Sequence, residues 1–382
     1  MNYPKKRLSD MIVFSNGKSI KPGGEGEFPV YGSNGIIGYG DQPREKNGVI
    51  IGRVGAYCGS VEYCPDRFWA SDNTIVAYPK TDGYSIHFIY YLLKDLNLHR
   101  WASGAAQPLL TQSVLNQIEA FSPIISIQQK VAAILSAYDD LIANNLRRIK
   151  ILEEMAQAIY REWFVKFRFP GHQKVKMVNS PLGKIPEGWE VKRLSDVCSI
   201  LMGQSPKSEF YNVDGEGLPF HQGVTDFGER FPTTRVYCTF SGRIAEAGDI
   251  LFSVRAPVGR LNLTDRKIII GRGLSAIRNL NGYQCFTFHQ LKEIFAEEDI
   301  MGGGTIFKAV TKGDMERIKC LYPPMEHLVL FEKICSPIGE QLAALGKKNV
   351  ILRQTRDLLL PKLISGEMDV SEMDIAIREA NA

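Results

Sequence analysis

No run of apolar residues in this chain of 382 approaches the length of a membrane span. The basic stretch from Met1 to Asp10 is followed by only four apolar residues, Met11 to Phe14, too few for the core of a secretion signal. Cys-x-x-Cys pairs are missing among the seven cysteines, and no two histidines stand at metal-ligand spacing. That speaks against structural zinc and against a disulfide framework, and the expectation is a cytoplasmic protein with reduced, mostly buried thiols. Excess charge is also missing, since 46 Lys and Arg face 42 Asp and Glu for a net +4. Such a balance neither demands nor excludes nucleic acid, because a local basic groove hides easily in a balanced total.

Catalytic signatures are absent as well. Gly17-Lys18-Ser19 invites a phosphate-loop reading, but the motif needs a glycine five residues earlier, where Ile12 stands. Met301-Gly302-Gly303-Gly304-Thr305 lacks the strand and helix that frame a dinucleotide fingerprint. Leu321-Tyr322-Pro323-Pro324-Met325 places its prolines in the wrong company for an amino-methyltransferase tetrapeptide and suits a helix start instead. His221, His289 and His327 are isolated in the sequence. The chain offers no credible catalytic centre, cofactor site or metal site.

What the chain does have is a repeat. Lys6-Arg7-Leu8-Ser9-Asp10 returns as Lys192-Arg193-Leu194-Ser195-Asp196, and Gly17-x-Ser19 as Gly203-x-Ser205, both at an offset of 186. Further on the offset is 200, pairing Ile50 with Ile250, Gly59 with Gly259, Gly104 with Gly304, Thr111 with Thr311, Ile118 with Ile318 and Pro123 with Pro323. A tandem duplication carrying an insertion of 14 residues explains the series. In each copy a strand-rich head, dense in glycine and β-branched residues, gives way to a long helix.

In the first helix an apolar seam runs through Leu135, Tyr138, Ile142, Asn145, Ile149, Leu152, Ala156, Ile159 and Trp163, in steps of three and four. Neither proline nor glycine interrupts residues 124 to 169, so the helix is predicted to run to Pro170-Gly171, on the order of 60 Å. The second seam carries Leu342, Leu345, Asn349, Leu352, Leu359 and Leu363. It reads as weaker because Pro337, Gly339 and Gly346 fall in its first half and Arg356 on an a-type position. Two such stripes are expected to bury each other, and an antiparallel pairing would hold the heads at opposite ends of a rod. Asn145 and Asn349 are candidates for a buried register pin, or for tolerated seam positions. The aromatic run Tyr160, Trp163, Phe164, Phe167 and Phe169 exceeds what one seam needs, and is predicted to contact a partner or the base of the second head.

The heads present polar and basic residues in glycine-flanked loops. In the first they are Lys18, Ser19, Tyr31, Ser33, Asn34, Arg53, Tyr57, Asn73, Gln107 and Gln112. In the second they are Gln204, Ser205, Lys207, His221, Gln222, Arg255, Arg260, Arg272, Lys308 and Lys312. Arg and Lys suit guanine edges, Asn and Gln adenine edges, and Ser, Thr and Lys phosphates. Any one of them is also an ordinary surface residue.

Taken in order, these features resemble the specificity (S) subunit of type I restriction–modification enzymes. The resemblance rests on Ile185-Pro186-Glu187-Gly188-Trp189 and the following Arg193-Leu194-Ser195-Asp196, on Pro29 to Tyr39, on Thr111 through Pro123 to Gln128-Gln129, and on the ending Arg356 to Glu367. One departure is Glu326-His327 at the second helix start. The resemblance implies an α+β chain with an internal two-fold repeat: two strand-rich α/β target-recognition domains separated by two long helices forming an antiparallel coiled coil. The segments are 1–124, first domain; 125–170, central helical spacer; 171–184, linker; 185–325, second domain; 326–368, C-terminal helical spacer; and 369–382, an acidic tail.

Each head would read one half of a bipartite site in double-stranded DNA, and the coiled coil would set the spacer. Two methyltransferase (M) subunits would dock on the chain, and restriction (R) subunits would join them. S-adenosylmethionine, ATP and Mg2+ would belong to those partners and none to this chain. The rival is a structural coiled-coil adaptor whose heads bind protein or glycan, with an unrecognised enzyme as a third reading.

Overall fold

A computed structural model describes residues 3–21, 23, 25–104, 107–228, 230–296, 300–301, 305–306 and 309–377. It divides into two compact units, and both boundaries fall inside long helices: Met1–Ala143 with Ile351–Ala382, and Asn144–Val350. Among the described residues no helix is long and apolar enough to cross a membrane. All seven cysteines are free thiols, six of them buried.

The first unit is built on a six-stranded sheet in the order Ile12–Asn16, Thr74–Pro79, Glu45–Gly52, Val61–Ala70, Phe28–Gly32 and Gly35–Gly40. Pairing is antiparallel except where Val30 and Tyr31 run beside Trp69 and Ala70. Helix Ile86–Asp95 buries Phe88, Ile89, Tyr91, Leu92 and Leu93 on the sheet. The same core takes in Ile127, Val131, Ala132 and Leu135 from the first long helix, and Leu363, Ile364 and Val370 from the chain's far end.

The second unit has two larger sheets beside its two-stranded pairs. One has the order Cys198–Met202, Leu274–Asn279, Ile250–Ser253, Leu261–Leu263. The other has Tyr211–Asn212, Tyr237–Cys238, Leu218–His221, Ile268–Ile270, Ile244–Ala245. The segment 171–184, expected as a linker, is not featureless: Met177–Ser180 and Gly183–Pro186 pair as a hairpin that runs into the start of the second head.

The repeated Lys-Arg-Leu-Ser-Asp has the same role in each unit. Lys5–Arg7 pairs antiparallel with Glu119–Phe121, and Glu190–Arg193 with Lys319–Tyr322, so the strand that opens each head zips to the strand that closes it. Leu8 and Leu194, each fully buried, then start one-turn helices whose N–H groups reach Ile118 O and Ile318 O, both at 2.8 Å. The long helix leaving each head is thereby fixed to the strand that enters it.

Within each unit the long-helix segments pack antiparallel. In the first, Asp139 lies opposite Arg356 and accepts from its guanidinium, and Asp139 Oδ2 also accepts from Tyr91 Oη at 2.6 Å. The a-type arginine is therefore an asset: half-buried, it ties head helix to both long helices. In the second unit Ile149 packs on Leu342 and Leu345, and Asn145 Nδ2 donates to Asn349 Oδ1 at 2.8 Å. Leu135, Ile142, Asn145, Ile149, Leu342, Leu345, Asn349 and Leu363 are buried; Tyr138, Leu152, Ile159, Trp163, Leu352 and Leu359 are half-buried.

Several expectations need correction. The first long helix keeps α-geometry only from Ile125 to Tyr160; Arg161–Val165 forms a π-helical turn and Phe167 adopts φ +55°. Tertiary packing takes over there. Tyr160, Phe164 and Phe169 replace Ile159 and Trp163 as the buried positions, against Trp189, Phe286, Phe331 and Leu328. The second long helix is unbroken from Met325 to Ser365 despite Pro337 and Pro361. Pro337 and Lys333, whose carbonyl loses its usual donor, are both exposed, where the loss of that bond costs least. Residues 369–377 do not form a free tail: Val370 is fully buried in the first unit's core and Lys130 Nζ donates to Ser371 O at 2.5 Å.

Asn145 and Asn349 are 3% and 0% exposed, and Asn349 Nδ2 is buried with no partner among the described residues. Asn145→Ala alone is expected to cost about 1–3 kcal/mol, because it leaves the Asn349 amide wholly unpaired. The double Asn→Leu change is expected to be near neutral or stabilising, with looser register. Urea unfolding of wild type and the two variants measures both outcomes.

Candidate nucleic-acid interface

In the first head, the loops that follow Asn16, Gly32, Gly52 and Ala70 are bound to one another by their backbones. Gly17 N donates to Thr74 O at 3.0 Å, Lys18 N to Ala70 O at 2.9 Å, Ser71 N to Tyr31 O at 2.9 Å and Arg53 N to Asn73 O at 2.9 Å. Side chains finish the clasp. Ser33 Oγ donates to Asn73 O at 2.8 Å and accepts from Val54 N, Ser60 Oγ donates to Ser33 O at 2.6 Å, and Trp69 Nε1 donates to Lys18 O at 2.8 Å.

The second head repeats the four backbone bonds. Gly203 N donates to Leu274 O, Gln204 N to Ile270 O, Gly271 N to His221 O and Val254 N to Gly273 O, all at 2.9 Å. Here Ser205 Oγ donates to Gln222 Oε1 at 2.7 Å and accepts from Arg272 N at 3.2 Å.

Superimposing the two networks refines the alignment drawn from sequence. Tyr31 corresponds to His221, an offset of 190, and Gly52 to Ser253, an offset of 201, so Ile50 matches Leu251 rather than Ile250. The offset returns to 200 at Gly59 and Gly259. The insertion is therefore spread around the heads, most of it between Tyr31 and Gly52, where the second head inserts strand Tyr237–Cys238 and its flanking loops. One-residue slips of this kind are invisible in short apolar runs.

Of the predicted residues, Lys18, Ser33, Asn34, Arg53, Tyr57 and Asn73 come together at the clasp of the first head. Lys18, Ser19, Asn34, Tyr57 and Asn73 are exposed there. Gln107 is exposed beside Pro108, whose carbonyl accepts from Gly55 N. Gln204, Ser205, Gln222, Arg255 and Arg272 gather at the second clasp, and Arg260 sits at the far end of the loop that begins with Arg255. Lys207 and Lys312 are exposed but paired, with Glu209 at 3.9 Å and Glu316 at 3.5 Å. Lys308 lies outside the described residues.

Three predicted readers turn inward instead. Tyr31 is buried edge-on to Phe68, and burial with the nearby Cys64 raises its hydroxyl pKa. His221, its counterpart, is 1% exposed with Nδ1 3.4 Å from Asp226 Oδ2, and burial pulls its pKa down against the raising effect of Asp226. The Gln112 amide is used internally when its oxygen faces Asn16 N at 3.0 Å and its nitrogen Phe14 O at 3.2 Å.

Sequence reasoning missed Trp101. It is 40% exposed on the turn Leu98–Trp101, which packs through His99 against Cys58 O beside the 61%-exposed Tyr57. An exposed tryptophan near a glycine turn was the available signal. It missed too that Arg53 Nε and Ser71 Oγ are buried with no hydrogen-bond partner among the described residues, at the centre of the first clasp. What this arrangement offers chemically is a rigid edge bearing amide, guanidinium, hydroxyl and aromatic groups. Among the described residues no cluster suits a metal ion.

The profile of the type I restriction modification DNA specificity domain matches residues 2–154 and again residues 186–353. The chain is 32% identical over 329 residues to the putative type I restriction enzyme MjaX specificity subunit of Methanocaldococcus jannaschii, spanning 84% of this chain and 76% of the relative. To the MjaIX specificity subunit of that organism it is 29% identical over 309 residues, 76% of this chain and 71% of the relative. Among solved structures, the type I restriction–modification S subunit from M. genitalium aligns with a TM-score of 0.63 over 95% of this chain and 96% of that one. Sequence identity there is 18%, so the likeness concerns the fold.

A Cβ on Gly17 would stand 1.9 Å from Ser71 O, and one on Gly203 2.1 Å from Gly271 O. Gly17→Ala and Gly203→Ala are each expected to cost at least about 2 kcal/mol by forcing the clasp apart. Gly223→Ala, at a position with open space, is expected to stay within about 0.5 kcal/mol. Denaturant midpoints for the three variants check the contrast.

Proposed function

The chain belongs to the type I restriction modification DNA specificity family, and from that premise we propose that each head reads a different half of a bipartite, asymmetric sequence in double-stranded DNA. It is a recognition subunit and not itself the catalyst. The observation that carries the two-half reading is the clasp. One backbone network is built twice, and the side chains it displays differ: Lys18, Asn34 and Tyr57 in one head, Gln204, Gln222, Arg255 and Arg272 in the other. A rigid frame with unlike readers is what two unlike half-sites require.

The long helices set the unread spacer between half-sites, and the zipped base of each head, occurring twice, offers docking surfaces for two methyltransferase subunits. Those partners would bring S-adenosylmethionine, and restriction subunits ATP and Mg2+, with the complex at work in the cytoplasm. Support for helix-set spacing comes from the buried Asn145–Asn349 pair, which fixes which turn faces which.

Asn34→Ala is expected to relax base preference in one half of the site, and Arg255→Ala in the other, each by about 1–3 kcal/mol of discrimination. Binding of the full chain with its methyltransferase partner to duplexes substituted one base at a time reads this out. Loss confined to the same half for both variants, or uniform weakening at every position, contradicts the assignment. A heptad inserted after Leu146 with a matched heptad after Lys347 is expected to lengthen the preferred spacer and leave both half-sites unchanged. Methylation-site sequencing shows whether the spacer moves.

A further inference from the structure

Gly339 counts against the second long helix in sequence, yet its missing side chain has a use in the second unit. Arg230 of the second head lays its guanidinium there. Its Nη2 lies 3.3 Å, and Cys285 Sγ 3.7 Å, from where a Cβ on Gly339 would stand, and its guanidinium carbon lies 5.1 Å from the centre of the Phe288 ring. The main chain of that segment is fastened to the head, since Leu263 N donates to Arg230 O at 3.1 Å and Asn262 Nδ2 to Gly228 O at 2.8 Å. Two turns further along the same helix, Lys347 Nζ lies 3.6 Å from Asp265 Oδ2 and 5.7 Å from the centre of the Phe231 ring.

The repeat gives this seat a counterpart. Gly339 matches Asp139 at the offset of 200, and in the first unit Asp139 accepts from the Arg356 guanidinium. Both units thus set a guanidinium against a long helix at corresponding positions. In the first it comes from the other helix; in the second it comes from the head. The segment that supplies it falls between His221 and Ser253, where the offset climbs from 190 to 201 and the second head is 11 residues longer.

A head fastened to a helix at one point can swing about that point, and a second contact further along removes the swing. Glu332 holds the head helix through Phe286 N, and Lys347 stands 15 residues beyond it, roughly 22 Å along the helix, with Gly339 between them. Lys347 is exposed, and such surface pairs contribute little. The half-buried Arg230, lying on an aromatic ring, is the stronger tie. We infer that Arg230 is a positioning residue: seated on Gly339, it fixes the tilt of the second head on the long helices, and so the stringency with which the second half-site is registered. The second clause rests on the DNA reading proposed above; the first does not.

The first arm of the test therefore uses no DNA. Nitroxides attached through ketone-bearing residues at the exposed positions 213 and 348 leave the native thiols untouched, and double electron–electron resonance reads their separation in the full chain. Wild type is expected to give one narrow distance. Arg230→Ala removes the guanidinium and Gly339→Leu fills its seat; each is expected to broaden the distribution, and the double variant no further than either single one. Gly339→Leu replaces a poor helix former by a good one, so it is expected to keep the wild-type thermal midpoint, which separates loss of the brace from loss of the fold. A broad wild-type distribution, or a narrow one retained in both single variants, overturns the brace. The second arm compares affinities of the full chain with its methyltransferase partner for duplexes of the preferred spacer and of one base pair more, a shift of about 3.4 Å. Preference for the right spacer is expected to fall roughly tenfold in either variant, with base preference inside each half-site unchanged. Broadened distances with an unchanged spacer preference overturn the positioning role. Wild-type binding that ignores sequence counts against the DNA reading instead, and the first arm then decides the brace alone.

Discussion

Two backbones approach more closely at the tip of each head than any side chain allows, and the arrangement of the reading loops follows from that approach. With no Cβ at Gly17 or Gly203, the next residue's N–H reaches the last carbonyl of a neighbouring strand, Ala70 or Ile270. That bond places the loop at Gly17 or Gly203 against the one that follows Ala70 or Ile270, and the others lock on through Ser71 or Gly271. Loops tied by main-chain bonds keep their positions whatever side chains they carry. Divergence at positions 34, 57 or 272 therefore leaves the frame untouched, and a duplicated head is free to acquire a second specificity.

The base of each head is as firmly determined as its tip, by a different device. Gln128, 1% exposed, accepts from Ser85 N at 2.9 Å and donates to Pro123 O at 2.7 Å, so a side chain of the long helix caps the head's own helix. In the second unit Glu332 has that task, accepting from Phe286 N at 2.8 Å, with burial raising its carboxyl pKa against the pull of that bond. The two solutions differ in residue and position yet reach the same end: each head helix starts on its long helix. Orientation of the reading edge relative to the adjoining helix is thus set by hydrogen bonds and not by packing alone.

Much of this was legible in the sequence, and the failures have physical causes. Heads, helices and duplication were visible because periodicity and internal repetition survive without knowledge of contacts. The end of the first helix was not, because Phe164 and Phe169 pack on Trp189 at the second head's entry and, for Phe164, on Phe286 deep within that head, contacts that helical periodicity does not reveal. Pro337 read as a breaker because sequence does not say that its turn faces solvent. Loop membership found the clasp residues but could not separate Asn34, which faces outward, from Tyr31 and His221, which face in. That distinction is one of strand parity, and the slips to offsets 190 and 201 hide it.

The first unit assembles from two pieces of chain, residues 1–143 and 351–382, with the whole of the second unit encoded between them. Asp139 must wait for Arg356, 217 positions later, before its ion pair closes. On a ribosome adding about 5–20 residues per second, the apolar stripe through Leu135 stays uncovered for roughly 10–40 s while the intervening segment is made. The second unit, being contiguous, has all its parts in hand earlier. Nascent chains of this protein therefore pass through a stage in which the first-made head is the last to be completed, and chaperone demand is expected to peak there.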